Sequence, residues 1–358
     1  MSGSSSLVAT LSGIVRRWLL VLLLGTYAAA AFAPGPGLLL RDASFGVGSG
    51  GEAARFSLWM VAVLLLCGGA MSDASRVREL GSRPFALLLA LLGSWVVPLV
   101  VAIVTVPILL ACLPSDQAVS IGLGLALAAA MPVANSAVAW THQSDGAIPW
   151  SLGLVIISIG LCPWVAPLLL SFMGLTLSAA QSAAAEAVVV RSSGVMFMVW
   201  VLGPTALGLV VGGLLGPAGR RAAGPWLALA SALALLLLNY ANAAAALPQL
   251  LSEARPQPIF AAAGAALALP LSGAVAGWGL APWGKVSHQV RIAWAYSLGM
   301  KNTGLALGLA GALLGDAPLA VLVILLVTLT QHAVAGGVHA VASRAHSASS
   351  ASSSGLGS

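Results

Sequence analysis

Two short stretches carry the chemistry legible in this chain. Lys301 stands inside Tyr296-Ser297-Leu298-Gly299-Met300-Lys301-Asn302-Thr303-Gly304, a polar interruption between long apolar runs. The second stretch, Ala130-Met131-Pro132-Val133-Ala134-Asn135-Ser136-Ala137-Val138, sets a proline and an Asn-Ser pair inside another apolar run. An ammonium deep in a membrane helix costs at least ~2.5–3.5 kcal/mol, so it is a functional hypothesis by default. Asn, Ser and Thr side chains offer the donors and acceptors that fix a polar solute. Asn135, Ser136, Asn302 and Thr303 are therefore candidate substrate-binding residues. The alternative for the two asparagines is structural, since Asn is a favoured cap for a broken helix.

The elements that position these residues are set by composition. Hydrophobic residues make up 59% of the 358 and charged residues 7%, against roughly 25% charged in an average soluble domain. So few charges cannot build a water-facing surface, and the mean hydropathy of +1.02 makes lipid the solvent for most of the chain. Soluble multidomain, disordered, disulfide-scaffold, coiled-coil and nucleic-acid-binding classes are excluded. Cys67, Cys112 and Cys162 are odd in number and scattered in apolar runs, which gives neither a disulfide framework nor metal spacing.

A helix needs about 20 apolar residues to cross the hydrocarbon core. Charges and turn residues divide the chain into ten spans, at 17–34, 56–73, 84–113, 119–142, 147–173, 194–216, 224–246, 258–281, 289–314 and 317–341. With the N-terminus in the cytoplasm, the inside segments carry Arg16, Arg17, Arg76, Arg78, Arg83, Arg220, Arg221, Lys285, Arg291 and Arg344. The outside segments carry only Arg41, Arg55, Arg191 and Arg255. This positive-inside bias places both termini in the cytoplasm of a multi-pass cell-membrane protein. The net charge of +6 records those inside arginines. The first span also reads as a secretory signal, with Ala30-Ala31-Phe32-Ala33 before Pro34; cleavage there would leave nine spans in the same orientation.

The two interruptions fall in spans four and nine, at equivalent places in two halves of five. An odd number of spans per half forces the second half to enter the membrane inverted. Exposed backbone persists at membrane depth only where it lines a cavity or is buried in protein. Paired Gly/Pro-interrupted segments in corresponding positions point to a transporter binding site. The expected organisation is a cytoplasmic segment at 1–15, a first five-helix repeat at 16–173, a connecting loop at 174–193, a second repeat at 194–341 and a disordered tail at 342–358. Ordinary kinked helices are the plainer alternative.

At these residues the chain resembles the bile acid:sodium symporter family. Gly299-Met300-Lys301-Asn302-Thr303-Gly304-Leu305-Ala306 is similar to the family's Glu-x-Gly-Met-Gln-Asn-Ser-Gly-Leu-Ala signature. A second similarity runs from Pro132 through Gly146, Ser151 and Ser158 to Pro163 and Pro167. A third covers Gly68-Gly69-Ala70-Met71-Ser72 and Arg83-Pro84. The resemblance extends over residues 56 to 341. It implies a panel domain of spans one, two, six and seven and a core domain of the others. Broken helices four and nine cross in the core, beside the substrate, and the domains move to give alternating access.

The departures bear on the coupling ion. The family's ninth-span glutamate falls on Ser297 and the glutamine of its Met-Gln-Asn on Lys301. Its fourth-span Ser-Asn pair falls on Ala137-Val138 without gaps, or on Asn135-Ser136 after a two-residue shift. One fifth-span hydroxyl falls on Ser151, a possible residual polar site, and the other on Val155. The third-span glutamine falls near Gly93, with Ser94 beside it. Most oxygens that hold sodium in the family are thus replaced. Lys301, with Ser297 as the neighbouring substitution, reads as a fixed cation in the ion's place. Direct contact with an anionic substrate and a lysine snorkelling to an aqueous cavity are the other two readings.

The expected function is transport of a small organic anion, sodium-independent, either facilitated or by exchange. Proton or sodium coupling and a receptor that binds without moving its ligand are the alternatives. No enzyme, cofactor or metal site is expected. His-Glu-x-x-His is missing, the nine acidic residues lie at span ends or in loops, and Gly279-x-x-x-x-Gly284-Lys285 has Val286 where magnesium would need a hydroxyl. His332 and His339 are seven residues apart in the last span, which suits packing or an interhelical hydrogen bond. The expected partners are the lipid bilayer and the anion, with no nucleic acid. The substrate's identity and the oligomeric state have no signature.

Overall fold

Apolar side chains surround most of the helices instead of forming one stripe, as lipid solvent allows. The computed structural model describes residues 2–46, 54–72, 80–174, 198–252, 256–314 and 317–354. Among them the helices are α1 Ser2–Arg17, α2 Leu19–Phe32, α3 Pro34–Asp42, α4 Phe56–Met71, α5 Pro84–Cys112, α6 Ser115–Ala130, α7 Ser136–Gln143 and α8 Ile148–Gly174. A π-helical turn at Met198–Leu202 then leads into α9 Gly203–Ser252, followed by α10 Pro256–Leu280, α11 His288–Gly299, α12 Thr303–Leu313 and α13 Pro318–Ser354. A two-residue ribbon pairs β1 Ser44–Phe45 with β2 Ala54–Arg55, antiparallel.

The protein is an all-α, multi-pass membrane protein. Five described helices are long and apolar enough to cross a bilayer, and α1 with α2, bent by 71°, makes a sixth only if the pair is one broken span. On α5, Leu88, Leu92, Val96, Val100, Val104 and Ile108 repeat every fourth residue, and each is about half exposed. That stripe is the lipid face of the helix.

The segmentation differs from the expected ten spans for identifiable reasons. Spans four and nine are each in two pieces, and α4 has only 16 residues. Spans six and seven follow each other without a loop, α9 being two helices divided at the non-helical Gly216 (φ 63°, ψ −176°), where span six is expected to end. A side chain there would be strained, and Pro217, which follows, has no N–H to continue the ladder. The segment at 1–15 is a helix that bends away from α2 by 71°. The tail from 342, expected to be disordered, continues α13 as far as Ser354. Between Gly337 and Gly355 the sequence has no glycine or proline to end it. Nearly all of the connecting loop at 174–193 lies outside the described residues, as do Arg76, Arg78, Arg191 and Arg255.

Packing falls into two groups. In one, α9 lies against α4, α2 and α3. A Cβ on Gly69 of α4 would come within 2.6 Å of the Thr205 carbonyl, and one on Gly208 would collide with that of Leu66. Small residues are what let two membrane helices approach this closely. In the other group α10 packs on α11, α13 and α5, and α6 on α13 and α5. The groups meet where α12 contacts α4 and where α13 contacts α9. The Tyr27 hydroxyl of α2 bridges them, 2.9 Å from Asn239 Oδ1 and 3.0 Å from the Leu325 carbonyl.

Candidate functional site at the crossing of two helix breaks

Both interrupted spans lose helical structure where the sequence implies. The ladder stops at Ala130 and resumes at Ser136, then stops at Gly299 and resumes at Thr303. Pro132 removes one donor from the first break, and the residues around it are extended. The two breaks pair with each other, Val133 bridging Lys301 in antiparallel fashion. The Ala134 N–H donates to the Met300 carbonyl at 3.0 Å, and the Asn302 N–H to the Pro132 carbonyl at 2.9 Å. Side chains satisfy two further donors. The Val133 N–H reaches Ser158 Oγ of α8 at 3.0 Å, and the Lys301 N–H reaches Gln331 Oε1 of α13 at 3.0 Å. Backbone groups that lipid cannot satisfy are thus paired inside the protein.

Lys301 has no exposed surface. Its Nζ donates to the Met131 carbonyl in the first break, at 3.1 Å, and to the Ser94 carbonyl of α5. Both acceptors are neutral, so the ammonium is held by carbonyl dipoles. Near it, Ser297 Oγ and Ser151 Oγ form a hydroxyl pair at 3.1 Å, both fully buried. Lys301 also belongs to the lining of the cavity beside the crossing.

The substrate candidates lie on the other side of the crossing. Asn135, Ser136, Asn302 and Thr303 line a cavity of about 240 Å³. It is bounded by Leu64 and Met71 of α4, by Ser231 and Leu235 of α9, and by Gln331 and His332 of α13. Asn302 Oδ1 accepts from the Leu305 N–H at 3.1 Å and so caps α12. Asn135 occupies the same position on α7 but makes no capping bond. Its amide instead fills the room that Gly68 leaves on α4. Thr303 Oγ1 accepts from Gln331 Nε2 at 3.3 Å. Helices α7 and α12 both begin beside the cavity, and their first N–H groups carry partial positive charge.

The structure thus brings the seven candidates into two neighbouring groups. Asn135, Ser136, Asn302, Thr303 and Lys301 line the cavity, while Ser297 and Ser151 form a buried pair outside its lining. Gln331 escaped the sequence reading, although a glutamine in the middle of an apolar span is a signal of the same kind as Lys301. It braces the second break from both sides, through Lys301 and Thr303. The Ser94 and Met131 acceptors are backbone carbonyls, which no side-chain pattern announces. The two histidines have the interhelical role the spacing suits. Trp140 Nε1 donates to His332 Nδ1 at 3.3 Å, and Ser144 Oγ lies 2.8 Å from His339 Nδ1 and 2.6 Å from the Tyr296 hydroxyl. Among the described residues no His/Cys/Asp/Glu group is arranged to hold a metal.

The broken helices of this all-helical membrane protein border a cavity whose largely apolar lining carries Asn135, Ser136, Asn302 and Thr303. The family profile described as Sodium Bile acid symporter family matches residues 58–253, and the chain belongs to that family of membrane transporters. The matched region contains the first break and ends before the second. No curated protein matches the chain.

Proposed function

We propose that the protein carries a small organic anion without coupling to sodium, and that Lys301 is a fixed cation where a bound ion would otherwise sit. The observation that carries this reading is the setting of its ammonium, held by the Ser94 and Met131 carbonyls at the crossing of the breaks. Carbonyl oxygens suit a cation, and a covalently attached one is present. At the family's glutamate position stands Ser297, paired with Ser151. Neither hydroxyl offers the negative charge that would offset sodium.

Positive potential favours an anion in the cavity, supplied by Lys301 in its wall and by the first turns of α7 and α12. The volume of about 240 Å³ is below the roughly 300–1,000 Å³ of drug-sized sites, which favours a short carboxylate over a steroid acid. Asn135, Ser136, Asn302 and Thr303 are the proposed binding residues. Asn135 and Ser136 have the more available polar atoms, because Asn302 Oδ1 and Thr303 Oγ1 already accept hydrogen bonds.

The proposed architecture is five plus five, with residues 16–173 and 194–341 as inverted repeats. It counts α6 with α7 and α11 with α12 as one span each, and α9 as two on either side of Gly216. The packing group of α2, α4 and α9 is then the panel and the other group the core, and their relative motion gives alternating access.

A thermal-shift screen of small carboxylates identifies a ligand, since binding to the folded state raises its stability by mass action. Counterflow into proteoliposomes preloaded with that unlabelled ligand then tests transport. Accumulation of external label is expected. Saturable binding without accumulation would make the protein a receptor, and stabilisation by quaternary amines alone would reverse the charge assignment.

A further inference from the structure

The two sides of α1 meet different surroundings. Val8 is buried, and Ser12 stands in the cavity wall together with Leu19, the first residue of α2. Helix α1 packs on α9, whose Ser231 and Leu235 belong to the same wall. A second face, about 110° around the helix, presents Leu7, Leu11, Ile14 and Trp18, which are 60%, 42%, 50% and 52% exposed. Those positions follow one another at helical intervals of three and four and so lie along one face. The helix ends at the exposed Arg17.

The bend of 71° between α1 and α2 gives this stripe a direction. With α2 crossing the bilayer, a helix turned through that angle lies close to the membrane plane. A helix there buries its apolar face at the headgroup boundary, where cationic residues and tryptophan are favoured partners of the interface. The exposed leucines and isoleucine, the terminal arginine and Trp18 at the bend fit that location. The inner side then necessarily lies over the cavity, because Ser12 is already part of its wall.

We infer that α1 is a lid, an interfacial helix laid across the cavity mouth, closed on the wall through Val8 and Ser12 and held by lipid through Leu7, Leu11 and Ile14. Access from this end of the molecule requires α1 to lift away. The inference concerns entry to the cavity and stands independently of the solute's charge and of sodium.

The test uses the full-length chain in phospholipid nanodiscs, with Cys67, Cys112 and Cys162 replaced by alanine and Asn135→Cys as reporter. The rate at which a charged methanethiosulfonate modifies the reporter is compared with that of two variants, Val8→Glu on the inner side and Leu11→Glu with Ile14→Glu on the outer. Each is expected to speed modification about tenfold, the effect of shifting an open–closed equilibrium by one decade. Unchanged rates in both variants would overturn the lid. A second measurement needs no destabilised variant. A fluorophore on Leu11→Cys, in an otherwise Cys-free chain, should be quenched by brominated lipid, whereas an unquenched fluorophore would overturn the lipid-held placement.

Discussion

Val133 and Lys301 face each other as an antiparallel bridge between two helix interruptions that are distant in sequence. Bonds from Ala134 to Met300 and from Asn302 to Pro132 flank the bridge, and the Lys301 ammonium adds a side-chain bond to the Met131 carbonyl.

This geometry places Asn135 and Asn302 at the same cavity. Cysteines at both positions, in a Cys-free background, should be joined by a short bifunctional thiol reagent. Failure to cross-link, at this pair and at neighbouring pairs, would contradict the crossing.

The clamp on the Lys301 ammonium predicts an order among substitutions. Lys301→Met leaves the Ser94 and Met131 carbonyls without their donor, and each unsatisfied buried group costs about 1–3 kcal/mol. Lys301→Gln keeps a donor of shorter reach and should lower the thermal midpoint less. Both should impair transport, since neither restores the positive charge. A Met variant as stable as the parent would mean that the ammonium contributes nothing to holding these elements.

Gln331→Leu removes the acceptor of the Lys301 N–H and the donor to Thr303 together. The expected loss is about 1–3 kcal/mol, seen as a lower unfolding midpoint. Gln331→Glu keeps an acceptor for Lys301 and should fall between the parent and the leucine variant.

Both breaks were legible in the sequence because proline, glycine and paired polar residues have no other business in the middle of a span. The lysine was legible for the same reason, as the one charge set deep in an apolar run. Its partners were not, because the carbonyls of Ser94 and Met131 belong to backbone whose position depends on the packing of α5 against the first break. The division of α9 at Gly216 was legible because Gly216-Pro217 reads as a break signal, but the immediate start of the next helix was not. Residues 1–15 were read only as a cytoplasmic segment, and the helix at 2–17, whose apolar residues fall at helical spacing, adds to that reading.

The close approach of α4 to α9 offers a matched pair of substitutions. Gly208→Val should strain the interface by about 1–3 kcal/mol or more, because the backbone of Leu66 occupies the space the side chain would need. Gly213→Val on the same helix meets nothing within 4 Å of its added Cβ and should leave the unfolding midpoint nearly unchanged. Equal effects would contradict the observed face of contact.

The central claim is that Lys301 stands in for a coupling ion. It is tested most directly by uptake of an identified ligand into proteoliposomes at fixed pH, with sodium, potassium or choline as the only external cation. A lysine bound covalently at the crossing cannot carry the energy of an ion gradient, so equal rates in the three salts are predicted. Steep, saturable stimulation by sodium would contradict the account.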